Sequence, residues 1–265
     1  MNTPETNTPA IEISDLACTF ISGDGKKESH YTAVRDVNLS IRAGEFVSIV
    51  GPTGCGKSTI LNMTAGLLKP SHGTIRIFGE PFQAENLMPW RSALGNVIAG
   101  LEFKGVKKSE AIEKGRHWLR RVGLAGFEDS YPHHLSGGMR KRVSMAQTLI
   151  MDPDIILMDE SFSALDIQTR QLMENLLLDL WSGEKKAVLF ITHDLDEAIS
   201  MSDRVIVMSA GPASHPIGEF LIDLPRPRDV TEVRGDPRFV SLHRSIWNVL
   251  REEVLKGYEN QMQRK

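Results

Sequence analysis

The chain has few of the features that would simplify its classification. Two cysteines, Cys18 and Cys55, among 265 residues supply no disulfide framework and point to a reducing compartment. No uncharged apolar run reaches the roughly 20 residues a bilayer-spanning helix needs, so any membrane role is expected to come through a partner. The opening M-N-T-P-E-T-N-T-P-A is polar and has no apolar core of a signal peptide; residues 1–10 are expected to be disordered. Net charge is only −3, which argues against binding nucleic acid through bulk positive charge. Lysines and arginines gather at 104–121, but Glu102, Glu110 and Glu113 interrupt them and no aromatic ladder accompanies them. A solvated helical face is the expectation there. What remains is ordinary globular composition, 41% apolar and 25% charged, in a chain long enough for a substantial core.

Against that background one stretch stands out. Gly51-Pro52-Thr53-Gly54-Cys55-Gly56-Lys57-Ser58-Thr59 follows the apolar run E-F-V-S-I-V and precedes I-L-N-M-T-A-G-L-L. Strand, glycine-rich loop and helix in that order form a phosphate cradle: backbone N–H groups surround a polyphosphate only where side chains do not intrude. Lys57 places a compact positive charge on the phosphates, and the Ser58 hydroxyl is a ligand for Mg²⁺.

Further along, Ile155-Ile-Leu-Met-Asp159-Glu160 is an apolar run ending in two carboxylates, which are costly at the end of a buried strand unless a cation or a reaction needs them. Side chains alternate along a strand, so Asp159 is suited to the metal's hydration shell and Glu160 to polarising a water. A third apolar run, Ala187 to Thr192, ends at His193. Between the two lies Leu135-Ser136-Gly137-Gly138-Met139, opening a helical stretch and offering a second anion-receptive N-terminus. One phosphate loop has no use for a second phosphate grip, whereas two copies arranged head to tail do.

These motifs, in this order, resemble the ATP-binding subunit of an ATP-binding cassette (ABC) transporter, over nearly everything from Ile11 to about Arg228. The resemblance implies an α/β P-loop NTPase with a parallel-sheet core, an antiparallel β subdomain and a helical subdomain. The cassette is expected over residues 11–225, the helical part over about 84–147 and a helical tail over 226–265. It implies ATP and Mg²⁺ as cofactors, with Glu160 as general base, His193 as the γ-phosphate switch and Asp166 supporting the facing subunit's loop. Ser136 and Gly138, with Gly137 beside them, would reach ATP across a homodimer. Gln83 resembles the glutamine that joins metal and water to the membrane subunit. Phe20 resembles the aromatic that stacks on adenine, with Tyr31 as its rival.

Leu87-Met-Pro-Trp90 and Leu224-Pro-Arg-Pro-Arg228 are similar to stretches of nitrate, sulfonate and taurine importer ATPases. Trp90 admits two readings, an indole packed on the core and a permease contact. The implied partners are an integral permease docking near Gln83 to Trp90 and, indirectly, a periplasmic solute-binding protein, with no nucleic acid. The implied location is the cytoplasmic face of the inner membrane.

Met139 and Ser161 replace the family's usual glutamine and proline. More consequential, only 26 residues lead from Lys57 to Gln83, well short of the family's usual interval. The expectation is that one core strand before Gln83 is missing, or that 74–82 is redrawn to fill its slot. Weakened coupling would then be the alternative to a fully active importer ATPase, as would a non-hydrolysing subunit or a cassette protein outside transport.

Overall fold

The computed structural model describes residues 9–22, 29–78, 81–82, 87–184 and 186–262. Two sheets organise them. In the smaller, β1 (Pro9–Ser22) lies between β2 (Ser29–Arg42) and β4 (His72–Ile77), antiparallel to both. Alternation along β1 sends Ile11, Ile13 and Cys18 inward, as a half-buried strand requires. Pro9 and Ala10 belong to β1, so the disorder expected through residue 10 does not extend to them.

The larger sheet has the order β5 (Pro81–Phe82), β6 (Ile155–Asp159), β7 (Ala187–Ile191), β3 (Phe46–Val50), β8 (Arg204–Met208), β9 (Pro216–Leu221). The first five run parallel, and β9 returns antiparallel to β8. β3 and β7 are buried along their whole length, which is why they read as continuous apolar runs rather than alternating ones.

Helices cover both faces. α1 (Lys57–Thr64) and the smaller sheet close over one face, where Ile49, Leu61, Leu157 and Ile191 form a core. On the other face α2 (Ala93–Phe103), α3 (Lys108–Arg121), α4 (Gly137–Leu149) and α5 (Ile167–Glu184) enclose Phe46, Phe162, Trp181 and Phe190. The Phe190 ring meets Phe46 and Phe162 edge to face. A third cluster joins α6 (Leu195–Met201) and α7 (Pro237–Met262) to β8.

α3 buries Ala111, Gly115 and Leu119 and turns its basic residues to solvent, with Lys114 paired to Glu110 one turn away. That is the solvated face expected. Trp90 is 73% exposed, which rules out the reading in which its indole packs on the core.

The sheet position expected to be missing is held by β5, only two residues long. Pro81 pairs with Ile155 and Phe82 with Ile156; β6 runs on to Asp159, and among the described residues no strand meets Leu157–Asp159 on that side. Residues 74–77 stay with β1 and are not redrawn. The strand is therefore not lost: among the described residues Pro81 and Phe82 hold its place in the parallel ladder. Gln83 lies outside the described residues.

Candidate functional site

β3 delivers the chain to the glycine loop, and α1 leads it away. Gly56 sits at the N-terminus of α1 with φ 95°, and Gly54 has φ 78°; both are left-handed conformations that glycine adopts without penalty. A Cβ on Gly56 would stand 2.4 Å from Val34 Cγ1 and 3.3 Å from the Ala33 carbonyl, so glycine is required there by space as well as by conformation. The Lys57 ammonium is buried and donates to the carbonyls of Gly51 (2.8 Å) and Pro52 (3.0 Å). It is therefore held against its own loop by bonds that a phosphate oxygen can replace.

In front of the loop is an open cleft of about 480 Å³. Its floor is Thr53, Gly54, Gly56, Lys57, Ser58 and Thr59. Gly51, Pro52 and Cys55 do not line it: the Cys55 side chain points into the core, where burial pushes its thiol pKa up. At one end stand Phe20 and Tyr31, cross-strand partners on β1 and β2, so both aromatic candidates share one face of one ladder. Asp159, Glu160 and Ser163 form the opposite wall, with Lys141 of α4 beside them.

Glu160 has φ 44°, a conformation that costs a non-glycine residue roughly 1–2 kcal/mol. Three hydrogen bonds hold it: its N–H donates to the Ile191 carbonyl (2.9 Å), and its carbonyl accepts from the Ser163 N–H (3.1 Å) and hydroxyl (2.8 Å). This turn aims the carboxylate at the cleft and leaves Glu160 Oε1 3.1 Å from His193 Nδ1. Two acidic residues at the end of β6 and a histidine just beyond β7 converge because β6 and β7 pair in parallel and end level, Asp159 opposite Ile191.

Ser136 caps α4, its hydroxyl accepting from Met139 N–H (3.2 Å). It does not line the Lys57 cleft. Gly137 borders a separate groove with Ala164, and Gly138 packs so closely on Ala164 and Leu165 that a Cβ would meet them at 3.3 and 3.1 Å. Asp166 follows directly. Hydrogen bonds from Thr169 hold its exposed carboxyl below the usual carboxylate range. The fold thus brings Phe20, Lys57, Ser58, Asp159, Glu160 and His193 together and keeps Ser136, Gly138 and Asp166 apart from them. Sequence reasoning passed over Lys141, which the R-K-R run after Met139 held in plain view. It also passed over Glu174 and Glu197, two buried acids on helices flanking the site.

The residues suit the implied groups. The glycine loop leaves the room and the N–H groups a polyphosphate needs. Ser58 and Asp159 border one cleft, enough for a Mg²⁺ ion that takes its other ligands from phosphate and water. Among the described residues no cluster of three metal-binding side chains forms a full protein cage.

Comparison with known proteins agrees with this geometry. Residues 34–163 match the family model described as ABC transporter. The chain is 47% identical over 237 residues to an uncharacterized ABC transporter ATP-binding protein of Methanocaldococcus jannaschii, covering 85% of this chain and 86% of the relative. It is 39% identical over 250 residues to the nitrate import ATP-binding protein NrtD of Synechococcus elongatus, covering 89% of each. With the taurine import ATP-binding protein TauB of Escherichia coli it shares 37% over 233 residues, 81% of this chain and 89% of that one. Among solved structures, the ATP-binding cassette MJ0796, a dimer in a post-hydrolysis state bound to ADP and Pi, superposes with TM-score 0.73 at 30% identity, covering 81% of this chain and all of that one. Sequence motifs, sheet order and relatives converge, and the chain belongs to the ABC transporter family.

Proposed function

We propose that the chain is the ATP-hydrolysing subunit of an importer, working as a head-to-tail homodimer beneath a membrane permease. The convergence of Lys57, Ser58, Asp159 and Glu160 on a single cleft, with His193 3.1 Å from the Glu160 carboxylate, carries this reading. Lys57 exchanges the Gly51 and Pro52 carbonyls for β- and γ-phosphate oxygens, and the loop N–H groups cradle the rest of the chain of phosphates. An aromatic of the Phe20–Tyr31 pair stacks on the base. Ser58 and Asp159, with Gln83, would hold Mg²⁺, which neutralises charge developing on the phosphates. Glu160 accepts the proton of the attacking water, and His193, within reach of the Glu160 carboxylate, orients the γ-phosphate end of the site.

Ser136, Gly137 and Gly138 do not line the cleft that holds Lys57 in their own chain. Their use is therefore in a second copy, where Asp166 would lie beside the facing phosphate loop. ATP would close two such composite sites and hydrolysis would reopen them, moving the permease between its two states. The exposed Trp90 and the segment from Gln83 supply the permease contact, on the cytoplasmic side of the inner membrane. Among the described residues no helix is long and apolar enough to cross a membrane, which suits a peripheral subunit. The likeness to NrtD and TauB favours a small anionic or zwitterionic solute, delivered by a periplasmic binding protein.

Glu160→Gln tests the reading. Steady-state ATPase activity should fall by about 100-fold or more while ATP binding persists, and size-exclusion chromatography with MgATP should show a dimer. A variant that hydrolyses ATP at the parent rate would refute the assignment of Glu160. A trapped variant that elutes only as a monomer would refute the dimer of isolated subunits.

A further inference from the structure

We infer that Arg170 is a positioning residue, tying the loop that carries Asp166 to the loop that carries His193 and so setting His193 against Glu160. The inference rests on the proposed roles of Glu160 and His193. Arg170 lies in the first turn of α5, its N–H bonded to the Asp166 carbonyl (2.9 Å). Its side chain then divides. Nη2 donates to the Leu165 carbonyl at 3.4 Å, while Nη1 donates to Asp194 Oδ2 at 3.4 Å and lies 3.6 Å from Glu197 Oε1. A planar guanidinium presents those donors in a fixed fork, so the two loops are held at a set separation; a lysine's single ammonium cannot reach both in that geometry.

The histidine is fastened on both sides by this arrangement. Before it, the Thr192 hydroxyl donates to Glu197 Oε2 at 2.6 Å. After it, the Asp194 N–H donates to the same hydroxyl at 3.0 Å, and the Asp194 carboxylate accepts from Asp196 and Glu197 N–H to start α6. Arg170 grips both carboxylates. His193 itself is 58% exposed at the side chain, so its direction is set by these neighbours and not by packing. Leu165, at the other end of the fork, is the residue against which Gly138 packs. Movement of Gly138 or Asp166 on meeting a second copy therefore reaches His193 through one side chain.

Two further groups fit a charge cluster built around Arg170. Glu174, one turn along α5, is fully buried with neither carboxylate oxygen hydrogen-bonded among the described residues, and both Arg170 and Arg234 act on it electrostatically. Arg234 lies 3.7 Å from Asp196, which also faces His243 of α7 at 3.6 Å.

The test compares Arg170→Ala, Arg170→Lys and Thr192→Val with the parent chain, and Arg170→Ala alone with Arg170→Ala in a His193→Ala background. ATPase rates and the affinity for a fluorescent ATP analogue are read together. Arg170→Ala should lower kcat by about 10-fold with affinity within about 2-fold, Arg170→Lys should recover part of it, and in the His193→Ala background the change should cost less than about 2-fold. An equal loss in both backgrounds, or parent-like kcat in Arg170→Ala, would overturn the inference. Should Arg170→Ala fail to fold by circular dichroism, Thr192→Val decides. It removes only the hydroxyl tie, so a kcat loss of about 3-fold that vanishes beside His193→Ala supports the inference, and a parent-like rate overturns it. An inactive parent chain, or an active Glu160→Gln, instead points to failure of the functional reading itself.

Discussion

Gly54 and Gly56 both adopt left-handed backbone, yet only Gly56 is also crowded, by Val34 and Ala33. An alanine at 54 meets nothing within 4 Å and pays only for its φ, about 1–2 kcal/mol. An alanine at 56 pays that and must also displace β2 from the loop. Gly56→Ala should therefore lower the melting temperature more than Gly54→Ala and weaken ATP binding by more than about 10-fold, while equal melting temperatures would show that the contact with Val34 yields freely. The loop itself was legible in the sequence, because the chemistry of a phosphate cradle dictates spacing within nine consecutive positions. That Thr53, Gly54, Gly56, Lys57, Ser58 and Thr59 line the cleft while Gly51, Pro52 and Cys55 do not was decided by the fold. Arg170, Glu174 and Glu197 were not. Their relation depends on helices separated by the whole of β7, and nothing in local pattern distinguishes a buried glutamate on an amphipathic helix from a solvated one.

Where α5 meets α6, that buried glutamate makes a measurable demand. Burial, reinforced by the Glu197 carboxylate and Asp194 and opposed by Arg234 and Arg170, pushes the Glu174 pKa up to about 8. A carboxyl whose pKa is raised on folding stabilises the fold fully below its unfolded value, and that contribution is lost as pH rises through the folded one. Between pH 4.5 and 8 the parent chain should thus lose stability from this site, by an upper bound of about 3 kcal/mol at pH 7. Glu174→Gln keeps the shape and removes the ionisation. Denaturant unfolding should show it gaining on the parent steadily from pH 4.5 to 8 and holding a constant lead beyond; a pH-independent difference would rule out a protonated Glu174. Elements with a strong period were readable in advance. The buried runs at 46–50, 155–159 and 187–191 became parallel strands, and the helical tail expected over 226–265 is α7, which begins only at Pro237. The helical face expected around 104–121 is α3, separated from α2 by a turn at Lys104–Lys107, where Gly105 has φ 76°. The strand before Gln83, expected to be missing or replaced by 74–82, is present as Pro81–Phe82 beside β6, a pairing that spacing alone did not reveal.

For the whole molecule, the division of the site between the Lys57 cleft and the Gly137 groove links nucleotide binding to association. MgATP should raise the melting temperature of Glu160→Gln, and the rise should grow with protein concentration, because ligand that binds only the assembled form stabilises it by mass action. Chelating the metal with EDTA should remove the concentration dependence. A melting temperature that responds to MgATP but not to protein concentration would argue for a closed monomeric site.

Local order was written into the sequence alone: which stretches are strands, which loop holds phosphate, which acid follows which strand. Those follow from spacing and alternation, which act over neighbouring residues. Tertiary structure decided the rest. It set Glu160 in a left-handed turn 3.1 Å from His193, packed Gly138 against Leu165, and joined the Asp166 and His193 loops through Arg170. Each of these is a distance between positions far apart in the chain, and only packing around a common sheet determines such distances.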